Sequence, residues 1–410
     1  MRRPAVHDQL EQGQCRNGFS ILSWFLLVVL WVSGCSIQSV YVAREVQTHR
    51  VQGIHDTDIV QSIFLIGDAG EPALQHQEPN LALLEHEASQ HQGKTTIVFL
   101  GDNVYPNGVP KESDPDRAVA EERLKEQRLV VERSGALGIF IVGNHDWGKG
   151  SEAGVHYLER EERLLAAGGN PRINISPESV TPGPGFFDIG DRIRLVTLNT
   201  EWWLRDSATY LYPSLTTKSA TRHAVIDSLV RLVKNAGGRN VIVVGHHPLS
   251  SHGEHGGFFD WRDHIFPLRK LVPWLWIPLP VVGSAYPVLR NQGLSNQDES
   301  STAYKEFVHE LDSAFTIAPP LVYAAGHEHT LEVLKGQGKY LLLVSGFGTA
   351  QHDPSLTHGD NTLFAYRHEG FMRIDILRDN RVRLCVMAPR DDSGGGEEIF
   401  SSWLGGATAH

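Results

Sequence analysis

Cysteine and clustered basic residues are both scarce in this chain. Only three of its 410 residues are cysteines, Cys15, Cys35 and Cys385, and its formal net charge is −11. Three thiols do not make the disulfide framework that staples small secreted domains. No block of lysine and arginine is present to neutralise a phosphate backbone, so we expect no nucleic-acid partner.

The N-terminal apolar run is too short to span a bilayer. It extends from Phe19 to Val32, whereas a spanning helix needs ~20 apolar residues. Three arginines precede it and small residues follow it, which is typical of a signal peptide. The run ends in Val-Ser-Gly-Cys, which resembles a bacterial lipobox, in which the thiol of Cys35 is acylated. A plain cleaved signal and a short N-terminal anchor are the alternatives.

This interpretation divides the chain into four parts. Residues 1–35 are the expected lipoprotein signal, and residues 36–58 are a polar tether from the membrane to the domain. Residues 59–390 are long enough for one α/β domain with a large core, and residues 391–410 form a polar C-terminal tail. We therefore expect an exported protein, lipid-anchored in the cell envelope on the periplasmic or outer-membrane side.

Strands and helices alternate in the first part of the domain. The segments "IVQSIFLIGDAG", "TTIVFLGDN" and "LGIFIVGNHDW" are apolar strands, and two helical segments separate them. Alternation of this kind predicts βαβ units and a parallel sheet. Three β-rich segments within residues 339–388 have no long helix between them, so they predict a mostly antiparallel second sheet.

Five of the predicted strands end in a short turn led by glycine. These turns read "GDAG", "GDNVY", "GNHD", "GHHP" and "GHEH". Ligands of open α/β sheets bind at the carboxyl ends of strands, so the five turns can converge on one site. The side chains that they offer are Asp68, Asp102, Asn144, His145, His246, His327 and His329. Carboxylate, amide and imidazole donors suit hard or borderline metals, and a pair of such ions can clamp a phosphoryl displacement.

The order of these turns resembles the calcineurin-like metallophosphoesterase superfamily. Most of its members have a histidine in the first turn, which "GDAG" lacks. Tyr105, three residues after Asp102, resembles the tyrosine ligand of the purple acid phosphatases, and "GHHPLSSHGEHGG" resembles another of their segments. The likeness covers about residues 60–375 and is closest to the small, tartrate-resistant type. It implies a four-layer αββα sandwich of two mixed β-sheets flanked by helices.

The resemblance also implies a role for each donor. Asp68, Tyr105 and His329 would bind a first metal, Fe(III), and Asp102 would bridge two ions. The second ion would be Fe(II), Zn or Mn, and its further ligands would be Asn144, His246 and His327. A phenolate is a hard anionic donor, and a trivalent ion acidifies a bound water further than a divalent ion does.

Two further histidines are predicted to be catalytic. His145 would contact the substrate phosphate, and His255 in "GEHGG" would protonate the leaving group after a metal-bound hydroxide attacks phosphorus. The expected activity is that of an acid phosphatase acting on small phosphate esters. A phosphodiesterase or nucleotide hydrolase on the same scaffold is the alternative, and a non-catalytic surface binding protein is a third interpretation. His247 is predicted to be either a supporting or a merely buried residue, and His252 a loop residue.

An apolar insertion at about residues 256–300 follows the predicted catalytic histidine. It is rich in Trp, Phe, Leu and Pro and is too broken by proline for a transmembrane helix. One hypothesis is that it docks on the membrane or lines a pocket for an amphiphilic phosphate ester. The alternative is that it packs on its own domain as a hydrophobic loop.

Overall fold

The computed structural model describes residues 36–37, 39–47, 51–91, 93–149, 154–178, 180–205, 218–270, 272, 274–349, 353–390 and 395–405. Cys35 and the apolar run before it lie outside these residues, so the lipid anchor stays a prediction. Among the helices within them, none is long and apolar enough to cross a bilayer.

Fifteen strands and nine α-helices lie in the described part of the chain. The strands are β1 (Val40–Val42), β2 (Ile59–Ile66), β3 (Thr95–Leu100), β4 (Leu137–Ile141), β5 (Ile173–Ile175), β6 (Gly185–Ile189), β7 (Ile193–Thr197), β8 (Asn240–Val244), β9 (Val322–Ala325), β10 (Leu331–Lys335), β11 (Leu341–Ser345), β12 (Thr362–Tyr366), β13 (Phe371–Leu377), β14 (Val382–Pro389) and β15 (Gly396–Leu404). The helices are α1 (Arg44–Gln47), α2 (Pro79–Ser89), α3 (Arg117–Ser134), α4 (Gly154–Ala166), α5 (Glu201–Leu204), α6 (Lys218–Lys234), α7 (Trp261–Ile265), α8 (Ala285–Asn291) and α9 (Thr302–Ile317).

The strands form two mixed sheets. The eight-stranded sheet has the order β1-β12-β10-β11-β9-β8-β7-β6, and the seven-stranded sheet has the order β15-β14-β13-β2-β3-β4-β5. Strands β2 to β5 are parallel, as are β7, β8, β9 and β11, while the remaining pairs are antiparallel. Helices lie between several of the parallel neighbours, such as α2 between β2 and β3 and α3 between β3 and β4, whereas short connections join antiparallel neighbours such as β6 and β7.

The core is layered in the same way as the sheets. Apolar side chains of both sheets, such as Leu65 and Val98 from one and Ile242 and Leu343 from the other, share one buried cluster. Helices α6 and α9 cover the outer face of the eight-stranded sheet, and α2 and α3 cover that of the seven-stranded sheet. The predicted four-layer αββα sandwich is therefore confirmed.

Local sequence signals set the ends of the helices. Helix α3 ends at Ser134, and Gly135 follows with a φ of 70°, the left-handed conformation that commonly terminates helices. Ser301 caps the start of α9 by accepting a hydrogen bond from the backbone N–H of Tyr304. Asp260 and Asp263 form a capping box on the short helix α7.

Three predictions about the strands differ from the structure. Part of the predicted tether is β1, which pairs with β12, and Ile37 is buried beside it. Part of the predicted polar tail is β15, whose Phe400 packs at 4.6 Å on Phe364 in the core. The mostly antiparallel second sheet is wrong, because β11 and β12 join one sheet and β13 and β14 join the other. Strands β1 and β15 were not predicted, because their apolar residues are few and polar residues surround them.

Candidate metal centre

The five glycine-led turns all lie at one edge of the sandwich. Three of them follow β2, β3 and β4 in the seven-stranded sheet, and two follow β8 and β9 in the eight-stranded sheet. Because these strands are parallel to their neighbours, their carboxyl ends lie side by side. The turns therefore bring donors from both sheets together above the buried core, as the sequence predicted.

The backbone of these turns is strained where the donors are. Asp68, Asp102 and His327 have φ values of 56°, 55° and 68°, a region that non-glycine residues rarely occupy. Each such residue costs on the order of 1–3 kcal/mol, which the surrounding packing must offset. Gly143 allows the close approach, because a Cβ at that position would lie 2.3 Å from Oδ1 of Asp102. Strain of this kind is concentrated at functional sites.

Three other predicted metal donors surround the hydroxyl group of Tyr105. Its hydroxyl oxygen lies 2.9 Å from Oδ1 of Asp68, 3.2 Å from Oδ2 of Asp102 and 3.0 Å from Nε2 of His329. His329 Nε2 is also 3.3 Å from Oδ1 of Asp68. These four atoms are the ones that the resemblance assigns to the first metal, and the structure brings all four side chains together.

A second group of donors adjoins the first. Oδ1 of Asn144 lies 3.0 Å from Nε2 of His246 and 3.1 Å from Nδ1 of His327. Nε2 of His246 is 3.4 Å from Oδ2 of Asp102, the same oxygen that faces Tyr105. One carboxylate oxygen therefore belongs to both groups, which is the position of a bridging ligand.

Hydrogen bonds to the remaining ring nitrogens and carboxylate oxygens hold these donors in place. His246 donates from Nδ1 to the carbonyl of Leu100, and His327 donates from Nε2 to the carbonyl of Gln297, at 2.8 and 2.9 Å. Oδ1 of Asp102 accepts from the backbone N–H of His145, and Oδ2 of Asp68 accepts from that of His327. The remaining ring nitrogens and carboxylate oxygens point into the centre, as in metal sites generally.

Buried charge is concentrated at the shared carboxylate. Burial alone would lower the pKa of His246, but Asp102 outweighs it and raises that pKa to about 10. Burial would likewise raise the pKa of Asp102, yet His246 and His145 hold it well below its usual range. Burial raises the pKa of Asp68 to about 7. The imidazole of His246 therefore holds its proton beside the carboxyl groups of Asp68 and Asp102. Positive charge is favoured at this position.

The donor set fits two metal ions. Ligand atoms of Asp68, Asp102 and His246 all lie within 4.8 Å of one another, and all three residues are buried. Burial lowers the pKa of His329 to about 3 and that of His327 well below its usual range, which keeps both imidazoles neutral and able to coordinate. Oxygen and nitrogen donors without thiolate suit Fe, Zn or Mn.

The two predicted catalytic histidines line the cleft above this centre. The cleft has a volume of about 950 Å³, and its wall includes His145 and His255 together with five of the donors, Asp102, Tyr105, Asn144, His327 and His329. His145 donates from Nδ1 to the carbonyl of Pro106, at 2.8 Å, and its Nε2 lies 3.8 Å from Oδ2 of Asp102. Burial lowers the pKa of His145 to about 4. The ring of His255 lies 4.1 Å from that of His327.

Supporting residues that the sequence did not assign lie directly behind the donors. Asp146 accepts hydrogen bonds from the backbone N–H groups of Asn103, Val104 and Gly143, at 2.8–3.0 Å, and so joins the second turn to the third. The amide of Asn103 then links Asp146 to the buried carboxyl of Glu161. Burial raises the pKa of Asp146 to about 8, so this carboxyl carries a proton near neutral pH. The only signal in the sequence was the position of Asp146 in "GNHD".

The other two histidines of the fourth segment have partners outside the donor groups. His247 is fully buried, with Nδ1 2.8 Å from Oγ1 of Thr200 and Nε2 2.8 Å from Oε1 of Gln297. The ring of His247 stands next to His246 and His327, and their ligand atoms could also group around an ion. We favour a supporting role for His247, because both of its nitrogens already have protein partners. His252 lies in a loop beside Glu332, at 3.2 Å.

With this geometry in place, the family can be stated. The family model described as calcineurin-like phosphoesterase matches residues 62–273, which is more than half of the chain. The chain belongs to the calcineurin-like phosphoesterase family. The match includes the first four of the five turns, and with them Asp68, Tyr105, His145 and His246. It also includes His255. No curated protein matches the sequence.

Two of the solved structures to which this chain is similar are a plant phosphatase and a parasite membrane-complex anchor. A purple acid phosphatase from seeds of yellow lupin is 14% identical, with a TM-score of 0.50 over 83% of this chain and 53% of that one. GAP50, the anchor in the inner membrane complex of Plasmodium, is 14% identical, with a TM-score of 0.49 over 84% of this chain and 88% of that one. The lupin structure shows that this fold is shared with a purple acid phosphatase.

Proposed function

We propose that this calcineurin-like phosphoesterase is a two-metal hydrolase of phosphoric monoesters, of the acid phosphatase type. The observation that carries the proposal is Oδ2 of Asp102, which lies 3.2 Å from Oη of Tyr105 on one side and 3.4 Å from Nε2 of His246 on the other. A shared carboxylate oxygen between two donor groups is what a pair of bridged ions requires. The fold that the chain shares with the lupin phosphatase agrees with this.

Tyr105 favours Fe(III) at the first position. Its phenol is buried between Asp68 and Asp102, and burial together with these carboxyl groups raises its pKa well above the usual range. The hydroxyl therefore keeps its proton until a strong cation displaces it, which a trivalent ion does best. Asn144, His246 and His327 suit Fe(II), Zn or Mn at the second position.

The side chains of the cleft divide the hydrolysis among them. The bound ions supply Lewis-acid polarisation of the attacking water and of the phosphoryl oxygens. His145, on the cleft wall with Nδ1 donating to Pro106, would donate a hydrogen bond from Nε2 to a phosphoryl oxygen as an imidazolium, which the negative charge of a bound phosphate ester stabilises. One P–O bond forms to the water oxygen, one proton of that water passes to the solvent, and the P–O bond to the leaving group breaks. His255 transfers a proton from Nε2 to the leaving oxygen and later regains one from the solvent.

A comparison of two related esters tests the proposal. We expect purified, metal-loaded protein to hydrolyse 4-nitrophenyl phosphate with a kcat/KM at least ~10-fold above that for bis(4-nitrophenyl) phosphate, with the rate lost after chelation. The reverse ratio would support the phosphodiesterase alternative. Absence of hydrolysis of either ester by metal-loaded protein would support the non-catalytic binding interpretation.

We also propose that the protein acts at a membrane of the cell envelope, held by acylated Cys35 and by the apolar insertion. The insertion keeps Trp274, Trp276 and Val282 exposed, at 77%, 50% and 70%. Exposed tryptophans of this kind favour a membrane–water interface. Vesicle sedimentation of a Cys35→Ser chain tests the second contact. Trp274→Ser should lower the bound fraction, whereas Phe186→Ser, which changes an exposed aromatic on β6, should not.

A further inference from the structure

The ring of His255 is held by the insertion rather than by the metal turns. Its Nδ1 lies 2.9 Å from Oδ1 of Asp298 and 3.1 Å from the carbonyl oxygen of Gln297. Both of these atoms are acceptors, so Nδ1 carries the proton and donates it. Asp298 is 2% exposed, which shields this hydrogen bond from competing water.

Asp298 is itself fixed by a second residue of the insertion. The guanidinium of Arg290, on helix α8, binds both carboxylate oxygens of Asp298 and donates to the hydroxyl of Tyr286, at 2.7 Å. A bidentate pair of this kind sets the plane of the carboxylate as well as its position. One guanidinium nitrogen of Arg290 also lies 3.1 Å from Nδ1 of His255. Arg290 could bond to Nδ1 only if that nitrogen had no proton, whereas Asp298 bonds to it only if it carries one.

The backbone under His255 is fixed from the opposite side. The carboxylate of Glu328 accepts from the N–H groups of Glu254, His255 and Gly256, at 3.0, 2.8 and 3.3 Å. With its main chain and Nδ1 both held, His255 has one nitrogen left, Nε2, for a molecule in the cleft that it lines.

We infer that Asp298, braced by Arg290, is a positioning residue that fixes the ring of His255 and keeps one proton on Nδ1, so that the protonated ring delivers its second proton from Nε2 and is left as the Nδ1–H tautomer. The inference rests on the proposed function for its consequence in catalysis, but the tautomer is a property of the protein alone. After the transfer, the neutral ring keeps the proton on Nδ1 that Asp298 accepts, so no rearrangement is needed. The apolar insertion thereby supplies part of the active site.

Kinetics on two substrates separate positioning from general damage. An alkyl phosphate needs a proton on its leaving oxygen, whereas 4-nitrophenolate leaves with little help. We expect Asp298→Asn to lower kcat about 10–100-fold on a simple alkyl phosphate but no more than about 3-fold on 4-nitrophenyl phosphate, with KM and metal content unchanged. His255→Ala should show the same pattern, and the double variant should match it. An equal loss on both substrates, or no loss on either, would overturn the inference.

A matched variant in the same insertion controls for loosening of the segment. Asp263 is fully buried and binds Arg269, at 2.6 Å, without contacting His255. Asp263→Asn should leave the ratio of the two kcat values unchanged even if the protein is less stable. Arg290→Lys, which keeps a cation beside Asp298 but loses the bidentate pair, should give a smaller change in that ratio than Asp298→Asn. If Asp263→Asn changed the ratio of the two kcat values as much as Asp298→Asn does, the effect would come from general loosening of the insertion.

Nitrogen NMR of histidine-labelled, metal-free protein tests the tautomer without any activity. The signals of His255 are identified by their loss in His255→Gln. We expect Nδ1 of His255 to be protonated in the unmodified chain, and the population to shift toward Nε2–H in Asp298→Asn. A neutral Nε2–H ring in the unmodified chain, with Nδ1 accepting from Arg290, would overturn the inference even if the phosphatase activity is found. Nδ1–H in a chain without phosphatase activity would preserve the positioning and reject the proposed function.

Discussion

The cleft above the candidate metal centre has two walls that are built in different ways. The donors Asp68, Asp102, Asn144 and His246 follow β2, β3, β4 and β8, so the parallel sheets fix them. The wall that holds His255 comes from the insertion, where α7 and α8 are short and side-chain pairs do the fixing. In the first wall, position follows from backbone topology. In the second, it follows from hydrogen bonds between residues distant from any regular strand.

This difference teaches where a change in sequence is tolerated. The donor wall allows little variation, because its glycine-led turns approach one another within van der Waals distance. The insertion wall depends on a few buried ion pairs, including Arg290 with Asp298 and Arg269 with Asp263. Loops of this type commonly determine specificity on a constant scaffold, so we expect the two walls to respond differently to mutation.

The largest effect is expected in the donor wall. Asp102→Asn removes the charge of the shared oxygen, and both donor groups lose an anionic ligand. We expect kcat/KM on 4-nitrophenyl phosphate to fall at least ~1000-fold, in the range found when a main electrostatic contributor is lost. Steady-state kinetics with metal analysis measure this. Asp191→Asn, at a side chain that is 90% exposed, is the control and should have no effect.

The next effect concerns stability and lies in the insertion. Asp263→Asn leaves Arg269 and Lys270 without their buried carboxylate, whose distance to Arg269 is 2.6 Å and to Lys270 is 3.4 Å. Breaking one partner of a buried pair costs about 3 kcal/mol. Urea unfolding of the metal-free protein should show that loss, whereas Asp379→Asn, in an exposed pair with Arg381, should change stability by under ~0.5 kcal/mol. Equal losses would remove the distinction between buried and exposed pairs.

A smaller effect is expected where the two walls meet. Glu328 lies between the proposed ligands His327 and His329 but uses its carboxylate to hold the backbone of residues 254–256. Glu328→Gln replaces one acceptor oxygen by an N–H₂ group that faces a donor, which costs about 1–2 kcal/mol. We expect lower protection of the amides of residues 254–256 in hydrogen exchange, with metal content retained. Loss of metal instead would place Glu328 in the donor wall.

The remaining effect depends on pH. Burial raises the pKa of Glu299 to about 8, whereas an unfolded glutamate titrates near ~4.3. Between these values the folded state binds more protons than the unfolded state, so Glu299 makes stability fall as pH rises through this window. Glu299→Gln should therefore be more stable than the unmodified chain at pH 9, by about 1 kcal/mol or more, and nearly equal at pH 4. A difference that grows toward low pH would contradict the buried, protonated state of Glu299.

The donor wall could be predicted from the sequence because its signals are local. Each donor-bearing turn follows an apolar strand and begins with a glycine. The spacing of Tyr105 from Asp102 can likewise be recognised without knowledge of the fold. Seven predicted donors and both catalytic histidines lie around the same cleft, although their roles stay proposals. The signal peptide and the lipidation of Cys35 stay predictions too, since they lie outside the described residues.

The insertion wall could not be predicted, because its pairs are set by tertiary packing. Asp298 lies 43 positions from His255, in a segment whose described residues form no strand. Glu328 was visible in "GHEH", but its contact with residues 254–256 crosses more than 70 positions. The edge strands β1 and β15 were missed for a similar reason, since only pairing with β12 and β14 makes them strands.

Metal content with a visible absorption spectrum tests the central claim most directly. The account predicts two metal ions per chain in the native protein, one of them iron, and a charge-transfer band that is lost in Tyr105→Phe. Two ions are expected because Oδ2 of Asp102 belongs to both donor groups. A single ion per chain, or two ions with a spectrum that Tyr105→Phe leaves unchanged, would contradict it.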